Sequence, residues 1–174
     1  PLQKVIAEEP EFAYAHFQLA YVYTALKNSK AARAEYERTI ALDPKMSEAY
    51  LNLGTLLLDT DPASARAPLG RAVELLPAQS RPRFLLGVAE EHVGNLTKAA
   101  ETFEGALRLD HADAETLLHL AGLYRQLKRP ADAEAKFRRV LEIQPNEPHA
   151  LLGLAQCLDA QKKPEAVEAY KNFL

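Results

Sequence analysis

The side chains in this sequence that could act as nucleophiles or metal ligands are few and scattered. Cys157 is the only cysteine, and the serines Ser29, Ser47, Ser64 and Ser80 all stand near predicted helix starts or turns. The sequence has no HExxH metalloprotease motif and no glycine-rich phosphate-binding loop. This inventory predicts a chain that is not an enzyme, with no catalytic residues, no cofactor and no metal site.

Charge and hydropathy narrow the class of partner. The formal net charge is -3 and the pI is near 6.0, which gives no long-range attraction to nucleic acid or to an anionic membrane. The longest nearly apolar stretch, Leu51 to Leu58, is far shorter than the roughly 18 to 20 residues that a membrane-spanning helix needs. We therefore expect a protein or peptide partner, no nucleic acid and no membrane insertion. A single cysteine excludes an internal disulfide, which favours the cytoplasm slightly and leaves the location undetermined.

The elements that position these side chains follow an internal repeat with a period of 34 residues that slips to 33 in places. The recurring residues are Leu19, Leu53, Leu86, Leu120 and Leu154; Ala32, Ala65, Ala99, Ala133 and Ala166; and Pro10, Pro44, Pro77 and Pro145. Alanine, leucine, glutamate, lysine and arginine are abundant and favour helices. The period therefore predicts an array of helical hairpins.

Each repeat is expected to hold two helices of about 12 to 14 residues, for example roughly 13–26 and 29–42. Small residues at the eighth and twentieth positions of each repeat would allow these helices to approach closely. Short turns, such as Asp61-Pro62 and Gly94-Asn95, would join them. Ser47, Ser80 and Asn95 are predicted to cap helix starts.

The repeat resembles the tetratricopeptide signature, which asks for a large residue, Leu-Gly, Tyr, and later Ala, an aromatic residue and Pro. The first unit carries these features at His16, Leu19-Ala20, Tyr23, Ala32, Tyr36 and Pro44. The resemblance implies an all-α, right-handed α-solenoid, or superhelix, of tandem antiparallel helix hairpins with about five units. Those units are predicted at 13–46, 47–79, 80–113, 114–147 and 148–174.

The first and last predicted segments are incomplete repeats. Residues 1–12 correspond to a second-helix remnant of a preceding repeat, and the unit at 148–174 is truncated. We therefore expect the sequence to be an excerpt from a longer protein.

The resemblance also predicts where a partner binds. Positions are numbered here as slots, counted from residues 13, 47, 80, 114 and 148; in similar proteins, slots two, five, six, nine, twelve and thirteen line a concave groove. The residues predicted from these slots are Tyr14, Phe17, Tyr21, Leu51, Asn52, Phe84, Val88, Leu118, His119, Arg125 and His149. Slot five is apolar in every unit, so it could belong either to the groove or to the packing between hairpins. Sequence leaves both readings open.

Several residues have competing interpretations. His119 and His149 would face a common point in similar proteins, which allows a paired-imidazole anion or metal site, although exposed helix histidines are usually only solvated. His16 occupies a large-residue packing slot and Cys157 an equally internal one, so both are expected in the core. The basic group around Arg125, Lys128 and Arg129 is interrupted by acidic residues and is expected to be a solvated face.

The leading functional prediction is a non-catalytic scaffold that binds a peptide or helix of a partner protein in the groove. One alternative is a substrate-recruiting arm of a larger multidomain enzyme, such as a glycosyltransferase. Another is a self-assembling solenoid, a homo-oligomer joined through uncapped ends at Leu2, Val5 and Ile6 or at Tyr170 and Phe173. Fold alone does not decide among these functions.

Overall fold

The computed structural model describes residues 2–173 as α-helices joined by short turns, with no strand among those residues. The chain divides into two compact units: unit 1 ends at Val93 and unit 2 begins at Gly94. Of the chain-end residues named above, Leu2 has a side chain that lies outside the described part of the molecule. Leu174, the last residue of the predicted fifth repeat, lies outside it too.

Unit 1 is built from consecutive helices that pair through tight turns. Helix α2 packs on α3 and α4 packs on α5, while α3 contacts α4, and α6 contacts both α4 and α5. The predicted helices at about 13–26 and 29–42 agree with α2 and α3 to within one residue. The bounds are Leu2–Glu8 for α1, Ala13–Ala25 for α2, Ser29–Leu42 for α3, Ser47–Leu58 for α4, Pro62–Leu75 for α5 and Ser80–His92 for α6.

Unit 2 repeats the same pairing. Helix α8 packs on α9 and α10 packs on α11, while α7 contacts α8, and α10 contacts both α8 and α9. Its helices have the bounds Leu96–Leu107 for α7, Ala114–Gln126 for α8, Pro130–Ile143 for α9, Pro148–Ala160 for α10 and Ala166–Phe173 for α11.

The close approach of the helices depends on small residues, as the repeat predicted. Ala20 and Ala32, at slots eight and twenty of the first repeat, are completely buried. At Gly54, slot eight of the second repeat, a Cβ atom would lie 2.4 Å from Cγ of Leu69 on the paired helix. Because Leu69 is itself fully buried, only glycine fits at residue 54 without displacing its neighbour.

The predicted serine caps are wrong. Ser47 and Ser80 are the first helical residues, one position too late to cap, and the preceding Met46 and Gln79 make no side-chain cap bond. Asn95 directly precedes α7, as predicted, but its side chain makes no cap bond either. Ser47 instead donates its hydroxyl to Glu48. The side chains that do accept a helix-start amide are those of Asn28, Asp61, Asp113 and Glu147.

Three turns between paired helices, α2–α3, α8–α9 and α10–α11, share a backbone feature that the sequence analysis did not predict. The α4–α5 turn lacks it, because Asp61 has a φ of -153°. Lys27, Lys128 and Lys162, all at slot fifteen, have φ values of 56°, 59° and 55°, and Gly94 at the same slot has a φ of 81°. At the first of these turns the amide of the following residue, Asn28, donates to the carbonyl oxygen of Tyr23, which closes the helix end.

Candidate functional site

The surface of α2 in unit 1 is rich in exposed aromatic side chains. Tyr14 and Tyr21 are 53% and 60% exposed, and Phe17 lies half-buried between them on the helix. The ring centroids of Tyr14 and Phe17 are 6.3 Å apart with nearly parallel planes, and that of Phe17 is 6.0 Å from Tyr36. We call Tyr14, Phe17 and Tyr36 the aromatic ladder. Its outer ring offers a partner a large apolar area at little conformational cost.

A cleft opens beside the ladder between α2 and α4, and we call it the α2–α4 cleft. Its volume is about 310 Å³. The residues that line it are Tyr21, Thr24, Ser29, Tyr36, Asn52, Thr55, Leu56, Asp59 and Thr60. The structure thus brings together two residues of the predicted groove, Tyr21 and Asn52.

Hydrogen bonds within the helices decide what this cleft can bind. Thr24 donates its hydroxyl proton to the carbonyl of Ala20 at 3.0 Å, and Thr55 donates to that of Leu51 at 2.8 Å. Each hydroxyl has a single proton, so both oxygens can still accept a hydrogen bond. That of Thr24 already lies 3.4 Å from the hydroxyl of Tyr36, which can donate to it, so Thr55 is the more available acceptor. Together with the carboxylate of Asp59, the threonine oxygens favour a ligand that presents N–H donors.

The structure corrects the prediction for Phe84. This side chain is only 3% exposed and belongs to the core of α6, with the guanidinium of Arg81 lying 4.8 Å from its ring centroid. A partner cannot bury a side chain that the chain has already buried, so Phe84 is not a binding anchor. Leu51 and Val88, the other predicted apolar residues of unit 1, are half-buried.

In unit 2 the two predicted histidines, His119 and His149, have different surroundings. His119 is half-buried, and its ring stacks on Phe103 with centroids 5.4 Å apart, whereas His149 is exposed. Among residues 2–173 there is no group of three or more His, Cys, Asp or Glu side chains that could hold a metal ion. The predicted Leu118 beside them is half-buried.

Unit 2 has its own cleft, between α8 and α10, which we call the α8–α10 cleft. Its volume is about 320 Å³, and it is lined by Arg125, Lys128, Pro130, Gln156, Cys157 and Ala160. Arg125 was predicted as a groove residue, whereas Lys128 and Gln156 were not among the predicted site residues. No pattern in the sequence indicated that these three side chains line the same cleft.

The two core predictions are confirmed. His16 is 6% exposed, with Nδ1 donating to Glu35 at 2.7 Å and Nε2 lying 3.1 Å from the carbonyl oxygen of Pro10. Cys157 is 1% exposed, and burial raises the pKa of its thiol, against a smaller opposing effect from the positive charge of Arg125. A neutral buried thiol is a weak nucleophile.

Two family models described as tetratricopeptide repeat match this chain. One matches residues 13–46, and the other matches residues 51–114, 93–148 and 118–173. The chain belongs to the tetratricopeptide repeat family.

Curated relatives of this tetratricopeptide repeat chain are longer proteins. It is 29% identical over 126 residues to the type IV pilus assembly protein PilF of Pseudomonas aeruginosa, covering 71% of this chain and 50% of PilF. It is 25% identical over 187 aligned positions to the human protein O-mannosyl-transferase TMTC3, covering 95% of this chain and 20% of that protein. The chain thus spans half or less of the length of these relatives.

Solved structures share the tetratricopeptide repeat fold at low sequence identity. A crystal structure of MamA superposes with a TM-score of 0.90 at 20% identity, covering 95% of this chain and 91% of MamA. YrrB, described as a tetratricopeptide repeat protein with an unusual peptide-binding site, superposes with a TM-score of 0.87 at 18% identity, covering 99% and 90% of the two chains. No helix in the described part of this tetratricopeptide repeat chain is both long and apolar enough to cross a membrane.

An ionic cluster around the buried Glu134 in unit 2 was also not predicted from the sequence. Glu134 on α9 accepts hydrogen bonds from Lys163 and Gln161, each at 2.7 Å, and from Arg138 at 2.9 Å. Burial disfavours its charged form, but these donors outweigh burial and lower the pKa of Glu134 to about 2. The cluster ties α9 of this tetratricopeptide repeat chain to the turn after α10, so its role is structural.

Proposed function

We propose that this chain is a non-catalytic scaffold that binds a peptide or helix of a partner protein on the surface formed by the first helices of its hairpins. The observation that supports this most is the exposure of Tyr14 and Tyr21 on α2, beside the aromatic ladder and the α2–α4 cleft. Burying one large apolar side chain contributes about 1.5 to 3 kcal/mol before ordering costs are subtracted. Two such anchors contribute about 3 to 6 kcal/mol, less than the roughly 8 kcal/mol that micromolar binding requires, so polar contacts in the cleft must supply the rest.

The proposed ligand places an apolar side chain against Tyr14 and Phe17 and directs N–H donors into the α2–α4 cleft. The donors suit the acceptor oxygens of Thr24 and Thr55 and the carboxylate of Asp59. The peptide-binding site named for YrrB, a protein of the same fold, makes a peptide ligand a reasonable expectation here.

The test compares three forms of the chain as bait for proteins in a lysate of the source organism. The parent chain, a Tyr14→Ser, Tyr21→Ser variant and a Tyr14→Phe, Tyr21→Phe variant are immobilised, and retained proteins are quantified by mass spectrometry. Both tyrosines are more than half exposed, so all three forms should have the same circular dichroism spectrum. We expect the serine variant to lose partners that the phenylalanine variant keeps, because the ring and not the hydroxyl supplies the buried area.

A purified partner from that experiment should bind the serine variant at least tenfold more weakly than the parent in isothermal titration calorimetry. A Leu109→Ser variant controls for nonspecific adsorption, because Leu109 is an exposed apolar residue that belongs to unit 2 and not to α2. Equal retention of every protein by the parent and the serine variant would exclude α2 as the working surface.

A second proposal is that the chain acts as a substrate-recruiting arm of a larger enzyme. Its similarity to part of a protein O-mannosyl-transferase favours this alternative. In that case the retained proteins would be substrates, and they should carry a shared covalent modification detectable by intact-mass measurement. Unmodified partners would count against the recruiting role and leave the scaffold proposal standing.

Self-assembly is a third proposal, supported by apolar side chains on α11. Val167 is 66% exposed and Phe173 is 37% exposed. Light scattering should then show a mass that rises with protein concentration and falls in a Val167→Ser variant. A constant monomer mass at high concentration would eliminate this alternative.

A further inference from the structure

The α2–α4 and α8–α10 clefts occupy equivalent positions in their repeats. Each cleft is formed by two consecutive repeats. Thr24 and Arg125 both occupy slot twelve of the earlier repeat, and Thr55 and Gln156 both occupy slot nine of the later one. The volumes are also similar, about 310 and 320 Å³. The fold therefore builds the same kind of cleft in each unit, and the side chains give each its own chemistry.

The chemistry of the α8–α10 cleft is cationic. Arg125 and Lys128 are both exposed, and in the described part of the chain neither has an acidic partner within ion-pair distance. Neighbouring basic residues differ: Arg129 pairs with Asp132 at 2.7 Å and Arg138 pairs with Glu134 at 2.9 Å. The two cations that line the cleft are thus the ones left available to a ligand.

The inner wall of this cleft supplies an unused hydrogen-bond acceptor. Among the described residues, Oε1 of Gln156 is buried and has no hydrogen-bond partner, which is a costly arrangement unless the side chain turns toward the cleft and a ligand satisfies it. Pro130, Cys157 and Ala160 make up the apolar part of the lining. The positive charge of Arg125 acts on the thiol of Cys157, so the guanidinium lies within electrostatic range of this wall.

We propose that the α8–α10 cleft binds a carboxylate carried by a peptide, with Arg125 and Lys128 as its cationic partners and Gln156 accepting a main-chain N–H of the same peptide. A guanidinium forms two parallel hydrogen bonds to a carboxylate, and an ammonium adds a third charge-assisted bond. The inference rests on the proposed function only in taking a peptide as the ligand. It assigns Lys128, which lies outside the predicted groove slots, gives Gln156 at slot nine a role, and fixes the charge of the ligand.

A peptide carboxylate fits this cleft better than a nucleic acid. Nucleic-acid sites combine a basic groove with aromatic stacking platforms, whereas this cleft has two cations and no aromatic residue in its lining. The apolar residues Pro130 and Ala160 instead suit the side chain next to a peptide carboxylate. An amide N–H close to that carboxylate would satisfy Gln156.

Titrations of the whole ¹⁵N-labelled chain followed by NMR test this proposal with small probes. N-acetyl-leucine carries a terminal carboxylate, N-acetyl-glutamic acid α-amide carries a side-chain carboxylate, and N-acetyl-leucinamide carries none. We expect saturable shifts of the Lys128 and Cys157 amides and of the Gln156 side-chain amide with one or both carboxylates, and none with the neutral amide. The probe with the lower Kd identifies the source of the carboxylate.

Substitutions in the cleft should weaken this binding at least fivefold, through Arg125→Gln or through Lys128→Gln. Lys162→Gln is the matched control, because Lys162 occupies the equivalent turn with the same left-handed backbone but does not line the cleft. It should leave the Kd unchanged. Because all three side chains are exposed, each variant should keep the dispersed NMR spectrum of the parent.

Three results would overturn the proposal: equal shifts with N-acetyl-leucinamide, an unchanged Kd in both cleft variants, or saturable binding of inorganic phosphate where neither carboxylate binds. The proposed function fails separately, through equal partner retention by the Tyr14→Ser, Tyr21→Ser variant. If the cleft binds carboxylates but the tyrosine substitutions change no partner, this inference stands and the proposed binding of partners at α2 is rejected.

Discussion

The space beside Gly54 is filled by Leu69: a Cβ atom at residue 54 would lie 2.4 Å from Cγ of that leucine. Both residues are buried in the hairpin formed by α4 and α5. The repeat calls for a small residue at slot eight, and this contact gives the steric reason. The cost of violating it can be measured.

Gly54→Ala should therefore destabilise unit 1. Overpacking a filled core costs about 1 to 3 kcal/mol, which exceeds the gain in helix propensity from replacing glycine. Urea unfolding followed by circular dichroism measures the change. Gly70→Ala is the control, because it lies on α5 with nothing within 4 Å of the added Cβ, and it should stabilise the chain by up to about 1 kcal/mol. Similar effects of the two substitutions would contradict the steric explanation.

Acid should weaken the Glu134 cluster. The pKa of Glu134 is about 2 in the folded chain, below the usual 4.5, so its contribution is fully present above pH 4.5 and is lost as the pH falls toward 2. We expect Glu134→Gln to lower the free energy of unfolding by about 2 to 3 kcal/mol at pH 7 and by little near pH 2.

Urea unfolding of the parent and Glu134→Gln at pH 7, 4 and 2.5 measures this convergence. Glu142→Gln is the control on the same helix, because Glu142 pairs with Arg139 at the surface with 61% of its side chain exposed. An exposed pair contributes about 0 to 1 kcal/mol. A difference between parent and Glu134→Gln that stays constant with pH would rule out an ionised Glu134 as its cause.

The left-handed turns predict a gain in stability. Lys27 has a φ of 56°, a conformation that costs a side-chain-bearing residue roughly 1 kcal/mol and costs glycine nothing. Lys27→Gly should raise the urea midpoint, because the free energy of unfolding increases by about 0.5 to 1 kcal/mol. Ala34→Gly, at an exposed position in the middle of α3, should lower it, because glycine weakens a helix interior. A loss of stability in Lys27→Gly would show that the turn is not strained by lysine.

Arg66 and Glu90 should be energetically coupled. Nε of Arg66 donates to Glu90 at 3.0 Å, and the side chain of Glu90 is only 1% exposed. Arg66→Met keeps the aliphatic stem but removes the charge, so it should destabilise the parent by about 1 to 3 kcal/mol. In a Glu90→Gln background the same substitution should cost less. A double-mutant cycle measured by urea unfolding gives the coupling energy between Arg66 and Glu90. A value of zero would show that the two side chains contribute to stability independently of each other.

The sequence predicted the hairpins because their packing repeats: the same small and large residues recur at fixed spacing, and this period marks α2 and α3 to within a residue. It also placed His16 and Cys157 in the core, since both occupy packing slots. Periodicity carried less information about Phe84. Slot five holds an apolar residue whether it faces a partner or packs internally, and only the three-dimensional contacts show that Phe84 is buried.

The clefts and ionic clusters depend on contacts between residues that no short motif connects. Glu134 meets Lys163 across 29 positions, and Lys128 joins Arg125 in one cleft although it belongs to a turn and not to the groove slots. Long polar side chains can adopt many rotamers, so their convergence depends on the packed backbone beneath them. The prediction of serine caps was wrong because the helices begin at Ser47 and Ser80 themselves, one residue earlier than a capping role requires.

The equivalence of the α2–α4 and α8–α10 clefts has a consequence for how such a chain can change. Arg125 and Lys128 set the polarity of one cleft from exposed positions, while the alanines and leucines that hold the hairpins together lie elsewhere in the repeat. Exchanging a few rim side chains could therefore give the chain a new ligand without touching the residues that keep it folded. Ligand binding and helix packing thus depend on different residues of the repeat, which makes the chain a ready starting point for engineered binders.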